Sequence, residues 1–107
     1  MAELSGNGNQ GSLASAAVTL VAAPVTGFRM VRSLYINNIS GQNVTLHLQK
    51  NVSATPYVFH SELMQPGDML ELGDGDLIIL GAGETLEGYI DETVATYPVF
   101  LVSYGDK

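Results

Sequence analysis

The stretch Asn43 to Gln49 (NVTLHLQ) alternates apolar and polar residues at every step, with Val44, Leu46 and Leu48 set against Thr45, His47 and Gln49. Strand side chains project to opposite faces with a period of two, so this segment is predicted to be a half-buried strand with its aliphatic residues inward. One-sided strands of this kind belong to antiparallel sheets. The same period recurs along the chain between turn residues spaced about eight to twelve apart, and no segment spaces its apolar residues as a helix would. Strands are expected at Ala14 to Ala22, Met30 to Asn37, Asn43 to Gln49, Tyr57 to Leu63, Met69 to Leu72, Leu77 to Leu80, Thr85 to Asp91 and Val99 to Tyr104. In the second, Arg32, Leu34 and Ile36 are assigned to one face and Val31, Ser33 and Tyr35 to the other. The unbroken run Leu77 to Leu80 implies burial on both faces.

About eight short strands without a helix imply an all-β, single-domain antiparallel β-sandwich or jelly roll. A chain of 107 residues buries roughly 65% of its unfolded surface and carries its own core. The sandwich is expected over residues 14–107, preceded by an extended N-terminal arm, residues 1–13. The first dozen, MAELSGNGNQGS, hold too few large side chains to offset their ordering entropy alone. Such an arm is expected to lie against its own domain or, preferentially, against a neighbouring subunit.

Turns are marked by chemistry. NNISGQN is dense in residues that tolerate positive φ, KNVSATP reads as a loop, and Pro66-Gly67-Asp68 reads as a tight turn. A short echo, Gly67-Asp68-Met69-Leu70-Glu71 and Gly83-Glu84-Thr85-Leu86-Glu87, reads as two turns each feeding a strand that buries its leucine and exposes its glutamate. Asn38, Asn43 and Asn51 open N-x-Ser/Thr sequons, read here as turn and strand chemistry.

The absence of cysteine excludes a disulfide framework, thiolate zinc sites and cysteine nucleophiles, and fits assembly in a reducing cytoplasm. The apolar segment Leu13 to Ala23 lacks the basic flank of a secretory signal. No run reaches the about 20 apolar residues that cross a bilayer, so no membrane partner is expected. The net charge of −7 is uneven: residues 1–61 set Glu3 against Arg29, Arg32 and Lys50, whereas residues 62–107 set ten acids against Lys107. Three scattered bases in an acidic chain make no stripe for a phosphate backbone, so nucleic acid is not an expected partner. A basic half and an acidic half instead suit oriented docking between subunits.

The acids near glycines raise calcium first. After Asp74 and Asp76 the next alternate position is Ile78, which has no oxygen ligand, so an EF-hand loop is excluded and Asp68, Asp74, Asp76 and Glu84 read as turn residues on a rim. His47 and His60 sit in no catalytic motif. A Ser61, His60 and Asp68 set can be drawn, but no nucleophile elbow accompanies it. There is no helix for the glycines of LGAGE to open, which excludes a phosphate cradle. A non-enzymatic protein without cofactor or metal is expected. Tyr35, Tyr89 and Tyr104 would serve a carbohydrate-binding module if they lined one face, and a small hydrolase would need His47 or His60 in a cleft beside a carboxylate.

The run VRSLYINNISGQNVTLHL, then LMQPGDMLELGDGDLIILGAGETLEGYI with its proline-glycine turn, and the closing VFLVSY together resemble small all-β virion proteins of tailed bacteriophages. The resemblance covers roughly residues 29 to 104. It implies a structural role on the particle, most simply a capsid decoration or cement protein, with tail, neck or baseplate proteins as the alternative. Such proteins are often trimeric, with terminal arms reaching over their neighbours. The expected partner is a major capsid protein or another virion subunit. The expected assembly contacts are Leu4 and Leu13 in the arm, with Arg29, Arg32 and Lys50 docking on acidic patches.

Overall fold

The computed structural model describes residues 7–73 and 78–106. The strands are β1 (Asn7–Ser12), β2 (Val18–Val21), β3 (Phe28–Asn37), β4 (Val44–Val52), β5 (Thr55–Met64), β6 (Met69–Leu72), β7 (Ile78–Gly81), β8 (Glu84–Ile90) and β9 (Val99–Asp106). One sheet runs β1-β9-β3-β6, with β7 also on β3; the other runs β2-β8-β4-β5. All pairings are antiparallel, and they nest: β4 with β5, β3 with β6 and β7, β2 with β8, β1 with β9. That nesting is a long hairpin folded over on itself, a jelly roll in which β6 and β7 together fill one strand position. The expected all-β sandwich is thereby specified as a jelly roll.

The core lies between the sheets and is aliphatic. Val44, Leu46 and Leu48 are fully buried, as their alternation predicts, in one cluster with Leu86 and Ile90 of the adjacent β8 and with Leu34, Ile36, Leu80 and Val102 of the other sheet. Each such side chain contributes about 1.5–3 kcal/mol by leaving water. Gly88 sits mid-strand because a Cβ there would lie 3.2 Å from Leu48, 3.3 Å from Leu20 and 3.4 Å from Leu13. Its missing side chain is filled by three leucines from elsewhere in the core.

Four expectations are corrected. Residues 7–12, expected in an arm lying against its own domain or, preferentially, a neighbouring subunit, take the first of these places, as β1 on β9 in unbroken register, and Leu13 is a core residue whose N–H donates to Pro98 O at 2.8 Å. The boundary expected at residue 13 therefore falls within the folded sheet; residues 1–6, including Leu4, lie outside the described residues. Arg32 does not share a face with Leu34 and Ile36. The register between β3 and β9 slips between Val31 and Ser33, so Arg32 is a bulge residue, Val31 turns inward and Arg32 turns out. β7 is not buried on both faces: Leu80 is inside but Ile79 is 44% exposed, because its outer side faces no second layer. Leu77, Asp74 and Asp76 lie outside the described residues. Finally, KNVSATP is no open loop. β4 and β5 close as a hairpin with Val52 opposite Thr55, and Ser53 and Ala54 both take positive φ, 49° and 72°. A primed two-residue turn matches the strand twist but favours Asn-Gly, and neither residue here is glycine.

The turn chemistry holds elsewhere. Asp68 N–H donates to Gln65 O at 3.0 Å across Pro66-Gly67, with Gly67 at φ 86°. Gly83, its echo, takes φ 80° before β8. In both copies the leucine packs inward, Leu70 against the core's margin and Leu86 fully buried. Asn38 serves its turn and also reaches beyond it. Fully buried, it donates through Nδ2 to the carbonyls of Gln42 (2.8 Å), Met64 (3.0 Å) and Gln65 (3.1 Å), and its Oδ1 accepts from Ser40 N–H (3.1 Å) and Oγ (2.6 Å).

Two stability changes follow. Asn38→Ala strands several buried carbonyls and should cost about 3 kcal/mol, read from urea unfolding. Ala54→Gly relieves the left-handed strain of an alanine and should add about 1 kcal/mol in the same experiment; no gain would mean that the hairpin turn is relaxed.

Candidate functional site

Of the residues expected to make assembly contacts, the structure commits most to the chain itself. Arg29 opens β3. Its Nε and Nη2 reach Asp106 Oδ1 and Oδ2 at 2.7 and 3.0 Å, its Nη1 donates to Ala22 O at 2.8 Å, and its guanidinium lies 4.5 Å from the Tyr104 ring centre. This fork is a bidentate carboxylate pair that also ties β3 to the end of β2 in the other sheet. The hydrogen bond to Asp106 raises the Arg29 pKa and, from the other side, lowers that of Asp106. Lys50 pairs with Glu84 Oε1 at 3.0 Å. Glu84 is held below the usual carboxylate range first by the Gly81 N–H and then by Lys50. Leu13 is spent on the core. Among the described residues, Arg32 alone of these cations has no acid within ion-pair distance; it lies over Gly105, whose Cβ would fall 3.0 Å from its Nε.

The two outer faces differ in chemistry. On the four-stranded sheet, cross-strand register brings Ser61, His47 and Tyr89 into one row. Ser61 Oγ lies 2.7 Å from His47 Nδ1, Asp91 Oδ2 lies 2.9 Å from Nε2, and the imidazole stacks on Tyr89 at 4.9 Å. Gln49 donates to Glu87 at 2.6 Å, and the Thr45 N–H and hydroxyl both donate to Glu92. The carboxylate partner of His47 is Asp91, 44 residues away, which no local motif marks. A carboxylate, an imidazole and a hydroxyl in sequence are the parts of a nucleophile relay. They lie on the outer face of a sheet, and neither of two depressions in the described surface, one lined by Lys50, Tyr57, Phe59, Ile78 and Ile79 and the other by Gly8, Asn9, Gln10 and Leu101, includes them. His60 pairs with Glu62 at 2.7 Å on edge strand β5. The set drawn from Ser61, His60 and Asp68 is not assembled, since Asp68 instead accepts from Gln65 N–H at 2.8 Å in its own turn. Among the described residues no three acids or histidines gather as metal ligands.

On the five-stranded sheet the outer face carries an exposed apolar patch among polar residues. Register aligns Gln10, Leu101, Tyr35 and Glu71 in one row and Ser12, Val99, Asn37 and Met69 in the next. Leu101 is 53% and Met69 58% exposed, with Tyr35 and Val99 between them. Beyond them come the bonded pair Ser33 and Ser103 (2.7 Å) and then Arg32 over Gly105. The signal for this face is VFLVSY, where apolar residues fall at successive positions, as a strand apolar on both sides requires. The three tyrosines considered for carbohydrate do not share a face: Tyr35 is here, Tyr89 is on the polar sheet, and Tyr104 packs against the core beneath Arg29.

No protein-family model and no curated protein matches the chain. In fold it is similar to the crystal structure of PirA, with a TM-score of 0.58 at 14% identity, covering 91% of this chain and 92% of that one. A second solved structure is the N-terminal endo-1,4-beta-D-xylanase 10B of Clostridium thermocellum, its CBM22-1 and GH10 modules complexed with xylohexaose. There the TM-score is 0.49 at 12% identity, covering 94% of this chain and 25% of that one. At such identities the likeness is one of fold alone, and a jelly roll hosts many unrelated functions.

The paired carboxylates give a pH dependence of definite sign. Asp106 and Glu84 have lowered pKa values in the folded chain, so their contribution is present above the ordinary carboxylate pKa, about 4. It is lost as pH falls through the lower folded values. Thermal unfolding should show stability falling on acidification below about pH 4, and Asp106→Asn should flatten part of that fall.

Proposed function

We propose that the chain is a non-enzymatic structural subunit of a bacteriophage virion, a capsid decoration or cement protein that binds the assembled head through the outer face of its five-stranded sheet. One observation carries the docking face: Tyr35, Met69, Val99 and Leu101 lie side by side in solvent, with the unpaired Arg32 on the same face. A contiguous exposed apolar patch marks an interaction surface far more often than scattered apolar residues do. The virion assignment draws on the resemblance over roughly residues 29 to 104 and on a fold that recurs in capsid proteins.

The energetics suit a protein whose task is to be bound. A subunit that attaches only to the assembled shell stabilises that state by mass action, in proportion to the logarithm of its concentration over Kd. Leu101 and Met69 supply apolar burial at the centre of the contact. Arg32 supplies the charge that selects an acidic partner patch and speeds encounter. Arg29 and Lys50, occupied by Asp106 and Glu84, serve the subunit's own fold instead.

The test is occupancy on purified particles. Leu101→Asp should abolish attachment, and Arg32→Glu should weaken it at least about tenfold, with unfolding midpoints near that of the parent. Attachment to tails in place of heads would make it a tail, neck or baseplate component. Unchanged occupancy in Leu101→Asp would reject this face.

A further inference from the structure

A jelly roll leaves four sheet edges, and each exposes backbone groups that another chain can pair with unless something blocks it. Three edges carry blocks. β5 has Pro56, a bulge at Phe59 where the register slips, and the hydrogen-bonded pair His60 and Glu62, with its carboxylate. β2 is four residues long, slips register between Thr19 and Val21, and is followed by Pro24. The opposite edge of the larger sheet is divided into the four-residue pieces β6 and β7 and carries Glu71. β1 has none of these. Its six residues, NGNQGS, contain no charge, no proline and no bulge, and they pair with β9 without interruption from Asn7 opposite Tyr104 to Ser12 opposite Val99.

The direction of its free groups can be derived. Leu13 N–H donates to Pro98 O, and antiparallel strands alternate the side to which successive residues point their N–H and C=O. Asn9 and Gly11 therefore face β9, while Gly8, Gln10 and Ser12 point their backbone groups away from the sheet, where no described strand lies.

We infer that β1 is a self-pairing edge: two copies of the chain join antiparallel through β1 about a two-fold axis at Gln10, making one continuous sheet. This inference rests on the reading of the chain as a subunit of an assembly. Gly8, Gln10 and Ser12 would face Ser12, Gln10 and Gly8 of the second copy, forming about six backbone hydrogen bonds. The occupant is a second copy because a chain of net charge −7 repels itself over its acidic surfaces, whereas β1 brings no charge against its own image. The pairing would also set the two apolar outer faces edge to edge, Leu101 lying beside Gln10 in each copy.

Sedimentation equilibrium of the full chain tests this. A concentration-dependent dimer is expected. Gln10→Pro, which removes an outward N–H but no bond to β9, should weaken it at least about tenfold, while Gln10→Ala, which keeps the backbone donor, should retain it. In a chain without cysteine, Gln10→Cys should oxidise to a covalent dimer, since facing residues of a bonded pair lie about 5.5 Å apart at Cα, within disulfide range. A monomer at every concentration, a trimer, or a dimer indifferent to Gln10→Pro with no Gln10→Cys cross-link would overturn the inference. Particle occupancy separates the two ideas: a monomer that still decorates particles rejects only the edge pairing, and a dimer that never binds them rejects only the virion reading.

Discussion

Asn38 and Arg29 stand at the two ends of β3, and through them one strand ties the two sheets together. Beyond the strand's end, Asn38 donates to Met64 and Gln65 at the close of β5 and to Gln42 before β4, while its backbone pairs with Asp68 and Gly67 on the way into β6. At the start, Arg29 reaches the Ala22 carbonyl just after β2. Between these ties the core is aliphatic: hydrophobic burial drives the sheets together, and the alternation of apolar residues selects which face each strand turns inward, but neither fixes where a strand ends. Directional bonds at both ends of the same strand fix those ends. A buried amide satisfied at both its nitrogen and its oxygen specifies one arrangement strongly, because every alternative leaves a buried polar group without a partner.

With its ends so fixed, the sandwich presents two faces of opposite character. Glu87, Asp91 and Glu92 gather on the four-stranded sheet and are engaged by Gln49, His47 and Thr45. That face is self-satisfied, its donors and acceptors paired with one another across strands. The five-stranded sheet is the reverse, since among the described residues nothing covers Leu101 or Met69, each more than half exposed. Association gains most where desolvating a surface costs least, which is the apolar face and not the hydrogen-bonded one.

Much of this architecture was legible in the chain. Apolar patterning between turn residues located every strand from β2 to β9, and Val44, Leu46 and Leu48 are buried as their alternation required. The PGD turn and its echo at Gly83 were readable because glycine at positive φ is a local requirement. What escaped was non-local. β1 carries almost no apolar signal, since NGNQGS is a strand only because β9 lies beside it. The bulge at Arg32 inverts the facing of Val31 without any mark in the sequence. The Ser53-Ala54 turn lacks its usual residues, and Asn38 resembles any other loop asparagine until its three carbonyl partners are known. The site followed the same division: Arg29, Arg32 and Lys50 were identifiable as the basic residues of the folded domain, but only the fold separates the occupied pair from the free one.

That separation bears on where a strongly acidic chain leaves surface that a neighbour could contact. Ten acids in the C-terminal half impose a repulsive field on any second copy or acidic neighbour. The fold answers by placement: Glu84 and Asp106 are neutralised within the chain by Lys50 and Arg29, and Glu87, Asp91 and Glu92 lie on the polar face of the four-stranded sheet. What faces outward on the five-stranded sheet is then apolar or uncharged apart from Arg32 and the rim residue Glu71, and the adjoining edge strand has no charge whatever. A surface of that kind costs least to desolvate in an acidic domain, because most of its charge is gathered on other sides.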